Sequence, residues 1–153
     1  MYMLGQQVKI AGFDTEFRHN RWNMMTANIT QIAIVTDNSV MNRYINHSGQ
    51  LCDSIYDINN YINSQKISHL VGHNVIGDAR LLFYNAIKCN ISIPRLTFYD
   101  TMDICHLDNI NKSCKLIDLF HRYYPNVNKT PHNAIDDAQM SLMIFDIFKD
   151  DRH

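Results

Sequence analysis

Apolar and polar residues alternate along residues 8–16. Val8, Ile10, Gly12, Asp14 and Glu16 share one face, and Lys9, Ala11, Phe13 and Thr15 the other. This predicts a strand that begins apolar and ends acidic. A polar stretch, 18–28, leads to a second strand over 29–36. Asp37, Asn38 and Ser39 carry turn chemistry before a third strand over 40–45, so the two strands read as a hairpin that Ser48 and Gly49 close. The period then changes. Ile55, Ile58, Tyr61 and Ile62 fall at helical spacing within 54–62, and 69–72 is a short buried strand. A helix follows over 75–87, with Ala79, Leu82, Phe83 and Ala86 as its expected core positions. Pro94 interrupts the chain before a fifth strand, 96–99, and a helix over 116–123 stops at Pro125. The last helix, 134–148, carries Ile135, Ala138, Leu142 and Phe145 on one stripe. A three-strand meander followed by alternating helix and strand predicts an α/β fold, a mixed sheet flanked by helices.

Length and composition narrow the class. With 153 residues, 46% of them hydrophobic, the chain is expected to form a single domain over 1–153 with a real core. No apolar run reaches membrane-span length and no secretory signal is visible at residues 1–8, so a cytoplasmic protein (in the host cytoplasm if phage or viral) is expected. Cys52, Cys89, Cys105 and Cys114 have irregular spacing without a C-x-x-C pair, which reads as four reduced thiols and argues against a zinc site built from them. Net charge is −1. Setting four of the 15 acids aside as metal ligands leaves 11 against 14 Lys and Arg, a net of +3, so charge neither supports nor excludes a polyanionic substrate.

Three acidic segments carry the chemistry. Asp14 and Glu16 point to one strand face, about 7 Å apart along the backbone. Two carboxylates on an apolar face are costly unless a cation lies between them, and a hard divalent ion with oxygen ligands meets that need. If the strand instead ends at Phe13, both acids are simply solvated. Two further segments, 73–79 and 132–138, both read H-N-x-I-x-D-A, and each precedes a predicted helix. With Asn74 and Asn133 as N-caps, Asp78 and Asp137 fall in first helical turns, where the helix N-terminus favours negative charge. Four acids can then converge. Such a set suits two Mg²⁺ or Mn²⁺ ions about 4 Å apart, with an imidazole nearby as the base.

In these segments the chain resembles the DEDDh 3′→5′ exonucleases, the DnaQ-like and RNase T-like family with an RNase H-like core. Gly12-Phe13-Asp14-Thr15-Glu16 resembles the family's D-x-E motif. His73-Asn74-Val75-Ile76-Gly77-Asp78 is similar to its H-N-x-x-F-D, and His132 with Asp137 to its H-x4-D. Further likeness lies in Gln31-Ile32-Ala33, Tyr99-Asp100-Thr101 and residues 115–119, so nearly the whole chain is covered in order. The resemblance implies that Asp14, Glu16, Asp78 and Asp137 ligate metal and that His132 is the general base. It also implies release of nucleoside monophosphates from the 3′ end of single-stranded DNA or RNA. Two departures stand out. Gly77 replaces the usual aromatic, and Phe17-Arg18-His19 replaces Thr-Thr-Gly. D-T-E-F is more typical of RNase D-like relatives, whose third motif has Tyr where His132 stands.

The remaining residues have two readings each. Thr15, Phe17, Trp22 and Asn74 are the candidate substrate contacts. Phe17 and Trp22 either stack on the terminal base or pack in the core, and Asn74 is a cap before it is a contact. His73 reads as structural, and Asp136 as a partner of the Asn133 cap backbone. Lys112, Lys115, Arg122 and Lys129 either line the strand's path or form a solvated surface. Asp100, Asp103 and Asp108 read as surface or capping acids. An oligoribonuclease of very short RNAs and a catalytically silent nucleic-acid-binding module are the competing functions.

Overall fold

A computed structural model describes residues 8–18, 27–108 and 112–149. Trp22 and most of the polar stretch after the first strand lie outside them. Five strands form one mixed sheet: β1 (Ile10–Arg18), β2 (Asn28–Val35), β3 (Val40–Tyr44), β4 (His69–Gly72) and β5 (Thr97–Asp100), in the order β3-β2-β1-β4-β5. β1, β2 and β3 are the antiparallel meander, and β4 and β5 run parallel to β1. The helices are α1 (Leu51–Ser64), α2 (Val75–Lys88), α3 (Thr101–Asp108), α4 (Leu116–Tyr123) and α5 (Ala134–Lys149). This is the expected α/β arrangement of a mixed sheet flanked by helices.

The two faces of the sheet are covered differently. Ala11, Phe13, Ile32 and Ile34 pack with Ile55, Ile58 and Ile62 of α1 and Leu81, Leu82 and Ala86 of α2 in the larger core. Ala33 and Val35 face the other way, onto Ala134 and Ala138 of α5. β2 is thus buried on both sides, which is why its sequence runs apolar rather than alternating. On its outer side α5 meets α3 and α4 through Cys105, Leu119, Phe120, Met140 and Ile144.

Where the structure departs from the sequence expectation, packing or capping explains it. β1 starts two residues later and runs two further than 8–16, because β2 pairs with it out to Arg18 across a bulge between Glu16 and Phe17. α1 extends beyond 54–62 at both ends, and α3, which sequence periodicity missed, is a short helix with little amphipathic pattern. The core face of α2 is rotated: Val75, Asp78, Leu81, Leu82, Asn85 and Ala86 are buried, while Ala79 and Phe83 are only partly so. On α5, Ile135 is likewise only partly buried.

The expectation of four reduced thiols is overturned. Cys52 bonds Cys89, and Cys105 bonds Cys114, with Cα atoms 5.4 and 5.8 Å apart. Chain spacing could not show this, because the pairs form only once α1 meets the end of α2 and α3 meets the segment before α4. Disulfides persist in oxidising surroundings, so the cytoplasmic placement loses the argument that rested on free thiols. Among the described residues no helix is long and apolar enough to cross a membrane.

Gly12 fixes how closely α5 sits on the sheet. A Cβ there would lie 2.1 Å from the Ala138 carbonyl oxygen and 3.2 Å from Leu142 Cβ. Gly12→Ala must therefore push α5 off β1. It is expected to cost about 1–3 kcal/mol or more, read from urea unfolding midpoints, and a midpoint equal to wild type would refute this seat.

Candidate functional site

β4 pairs with β1 only as far as Gly12, opposite Val71. Beyond that point β1 continues with β2 alone, Asp14 opposite Ala33 and Glu16 opposite Gln31. The freed edge is where α2 begins. The turn is tight: a Cβ on Gly72 would meet Val75 Cγ2 at 2.7 Å and the Phe13 carbonyl at 3.0 Å. Asp78, in the first turn of α2, is 7% exposed and accepts a hydrogen bond from the Thr15 hydroxyl. Thr15, a candidate substrate contact, is thus buried and spends its hydroxyl on positioning Asp78.

The fourth acid arrives on α5. Asn133 Oδ1 caps this helix, accepting from the amides of Ile135 and Asp136 at 3.0 and 3.4 Å. Gln31 fastens the same end to the sheet: its Oε1 accepts from the Ala134 amide at 3.2 Å, and its Nε2 donates to Asn42 Oδ1 at 2.9 Å. The backbone N–H of His132, a residue in the left-handed region at φ 64°, donates to the Asp137 carboxylate. Asp136 turns away and accepts from the Thr130 amide at 2.8 Å, not from Asn133.

Carboxylate oxygens of Asp14, Glu16 and Asp137 all lie within 4.8 Å of one another. Asp78 stands outside that group, yet it is the largest charge acting on Asp14. Burial, then Asp78, Asp137 and Glu16, push the Asp14 carboxyl up to about 10. Burial raises Asp78 to about 7 against the opposing Thr15 hydrogen bonds, and burial followed by Glu16 raises Asp137 to about 7. Asp14 Oδ2 is buried with no hydrogen-bond partner. Carboxylates crowded around an unsatisfied buried acceptor could hold a hard cation with oxygen ligands, which would offset both costs, as protonation of the raised carboxyls does without it.

The two histidines of the repeated segments have different surroundings. His132 is exposed on the loop leading into α5. His73 is half-buried. Its Nε2 donates to the Cys114 carbonyl at 2.6 Å, and Nδ1 lies 2.8 Å from Thr101 Oγ1. Burial lowers its pKa. Asn74 is not the cap expected of it: it is left-handed at φ 55° and makes no side-chain cap bond. Asp100 from the end of β5 does that work, accepting from the amides of Asn74, Val75 and Met102 at 2.8, 3.2 and 2.9 Å.

Phe17 packs, partly buried, against the larger core. Arg122 donates to the Ser113 carbonyl and Lys129 to Gln139 Oε1, so both serve local structure. Lys112 and Lys115 are exposed. Of the two readings open for Asp100, surface or capping acid, the structure bears out the capping one, whereas sequence reasoning missed Gln31 as a positioning residue. For Gln31 the signal was a lone amide in an apolar strand.

No family model matches the chain, and no curated protein matches it either.

The raised carboxyls dictate a pH dependence without metal. Asp78 and Asp137 stay protonated when folded up to about pH 7 but ionise near 3.8 when unfolded. Their contribution is therefore present at low pH and lost as pH rises from about 4 through 7, with Asp14 extending the loss upward. In chelator, melting temperature is expected to fall from pH 5 to pH 8, more steeply than for a D14N/D137N variant. Mn²⁺ should raise it more at pH 8 than at pH 5. Equal slopes for wild type and variant would refute the electrostatic account.

Proposed function

We propose that the chain is a metal-dependent 3′→5′ exonuclease of the DEDDh type with an RNase H-like fold, acting on single-stranded DNA or RNA. The observation that carries this reading is the convergence of Asp14, Glu16 and Asp137 around the unpartnered Asp14 Oδ2, with Asp78 alongside. The sheet order and the direction of each strand support it, since they bring all three sequence motifs to one end of β1.

Asp14, Glu16 and Asp137 would hold the divalent ions, Mg²⁺ or Mn²⁺, with Asp78 completing the set from α2. When bound, such ions supply a water of lowered pKa and stabilise charge on the phosphate and the leaving 3′-oxygen. The protein's own part is to orient and to move a proton. Thr15 holds Asp78, Gln31 and the Asn133 cap hold α5, and Gly12 lets Asp137 close on Glu16. His132, whose backbone N–H is tied to Asp137 and whose side chain is exposed, would take the proton of the attacking water. His73 has both ring nitrogens engaged and serves structure.

The test is end-labelled single-stranded DNA and RNA, incubated side by side with Mg²⁺, Mn²⁺ or chelator. Mononucleotides should appear from a free 3′ end with metal only, and a blocked 3′ end should resist. Asp14→Ala should abolish turnover and metal binding together. His132→Ala should bind metal and lose about 10²–10⁴-fold in rate, partly restored at high pH. His73→Ala should lose far less. Cleavage of circular strands as fast as linear ones, or full activity in chelator, overturns the proposal.

A further inference from the structure

Past the acids, β1 ends at a second feature of opposite character. A cleft of about 350 Å³ opens between the end of β1, the start of β2, the segment entering α1 and the last turns of α2. Buried Ala27, Ile29 and Ile45 lie along it, and half-buried Tyr84 forms a wall. Its rim carries Arg18, His47 and Lys88, all exposed, and among the described residues no Asp or Glu lines it. In a chain of net charge −1 that is a local reversal of sign. Lys88 Nζ sits 5.7 Å from the centre of the Tyr84 ring. Among the described residues neither Arg18 nor Lys88 has a carboxylate partner.

The cleft is built, not a gap between loose segments. The Cys52–Cys89 disulfide joins α1 to the end of α2 beside two lining residues, Leu51 and Lys88. The entering segment is closed by Gln50, whose side chain accepts from the Asn46 amide and whose own amide donates to the His47 carbonyl. Asn85 is buried in the wall and donates to the Leu81 carbonyl at 2.7 Å.

Arg18 stands two positions beyond Glu16 on β1, no more than about 7 Å along the backbone. The cleft lies on the α1/α2 face and the acids on the α5 face, so a strand held at the acid cluster by its terminal phosphodiester would bring an internal unit to this rim by passing round the end of β1. An apolar floor with an aromatic wall and a cationic edge suits a base and its phosphate, the combination by which single strands are held without sequence preference. Resting on the exonuclease reading, we infer that this cleft holds an internal nucleotide of the substrate strand, on the 5′ side of the one removed. Arg18 and Lys88 take its phosphate and Tyr84 faces its base.

The experiment separates this inference from the reading beneath it. Binding of a 5′-fluorescent single-stranded 10-mer is measured by anisotropy in chelator, for wild type, Arg18→Glu/Lys88→Glu and Tyr84→Ala, with melting curves to confirm folding. The double variant should weaken binding about tenfold or more and flatten the salt dependence by about 1.4 in log–log slope, the share of two phosphate contacts. Tyr84→Ala should weaken it about five- to 150-fold. With Mn²⁺, the double variant's loss in kcat/KM on the 10-mer should exceed at least tenfold its loss on a dinucleoside monophosphate, whose single phosphate is the scissile one and which therefore offers none to Arg18 and Lys88. Wild-type degradation combined with unchanged variant binding, or equal losses on both lengths, overturns the cleft and leaves the exonuclease reading standing. A wild type that neither degrades nor binds the 10-mer overturns both.

Discussion

The closeness of α5 to β1 at Gly12 is the constraint from which the candidate site follows. Only a residue without a side chain lets the Ala138 backbone come so near the strand. Small residues repeat the condition around it, with Ala33 on β2 and Ala134 and Ala138 on the helix. One residue before Ala138 is Asp137, and two and four residues beyond Gly12 are Asp14 and Glu16. Once helix and strand are in contact, these carboxylates have nowhere to go but together. Packing energy elsewhere in the molecule thus holds charges at a separation they would not choose. The raised carboxyl groups of Asp14 and Asp137 record their burial first and that crowding second.

Much of this was legible in the chain because each motif has a local cause. A two-residue spacing on a strand puts two side chains on one face whatever surrounds it, so Asp14 and Glu16 could be paired from sequence. The first-turn positions of Asp78 and Asp137 followed from the helix starts. What local sequence could not reveal is which atoms satisfy those starts. Residues 73–79 and 132–138 have the same pattern, yet Asn133 caps its helix while Asn74 adopts a left-handed backbone and leaves the cap to Asp100, 26 residues away. The difference is tertiary: β5 lies beside β4 and delivers Asp100 to the start of α2, whereas α5 begins over β2 and takes Gln31 as its second anchor.

The same limit explains the other departures. Hydrophobic period located α1, α2, α4 and α5, since each buries a stripe, but it missed α3, where the apolar pattern is weak. Disulfide pairing depends on where helices end in space, so the four cysteines could not be sorted by spacing. Their pairing changes the meaning of neighbouring residues too. Cys114, held to Cys105, presents the carbonyl that engages His73, and Thr101 at the start of α3 faces the other ring nitrogen. A histidine that resembles His132 in sequence is thereby drawn into the scaffold.

The distribution of charge then follows from the strand that organises it. β1 carries its acids where α2 and α5 crowd it, and its arginine where it has run past both β4 and the acid cluster. A polyanion approaching this edge meets opposite conditions within a few residues. Once ionised, the acid cluster would repel it unless cations are held there, while Arg18 and Lys88 on the rim attract it with or without them. On the proposed reading, attraction at one end of the strand and conditional repulsion at the other would make cation occupancy, rather than net charge, the variable that decides whether a nucleic-acid end settles among the carboxylates. That is why an overall charge of −1 is a poor guide to what this chain can hold.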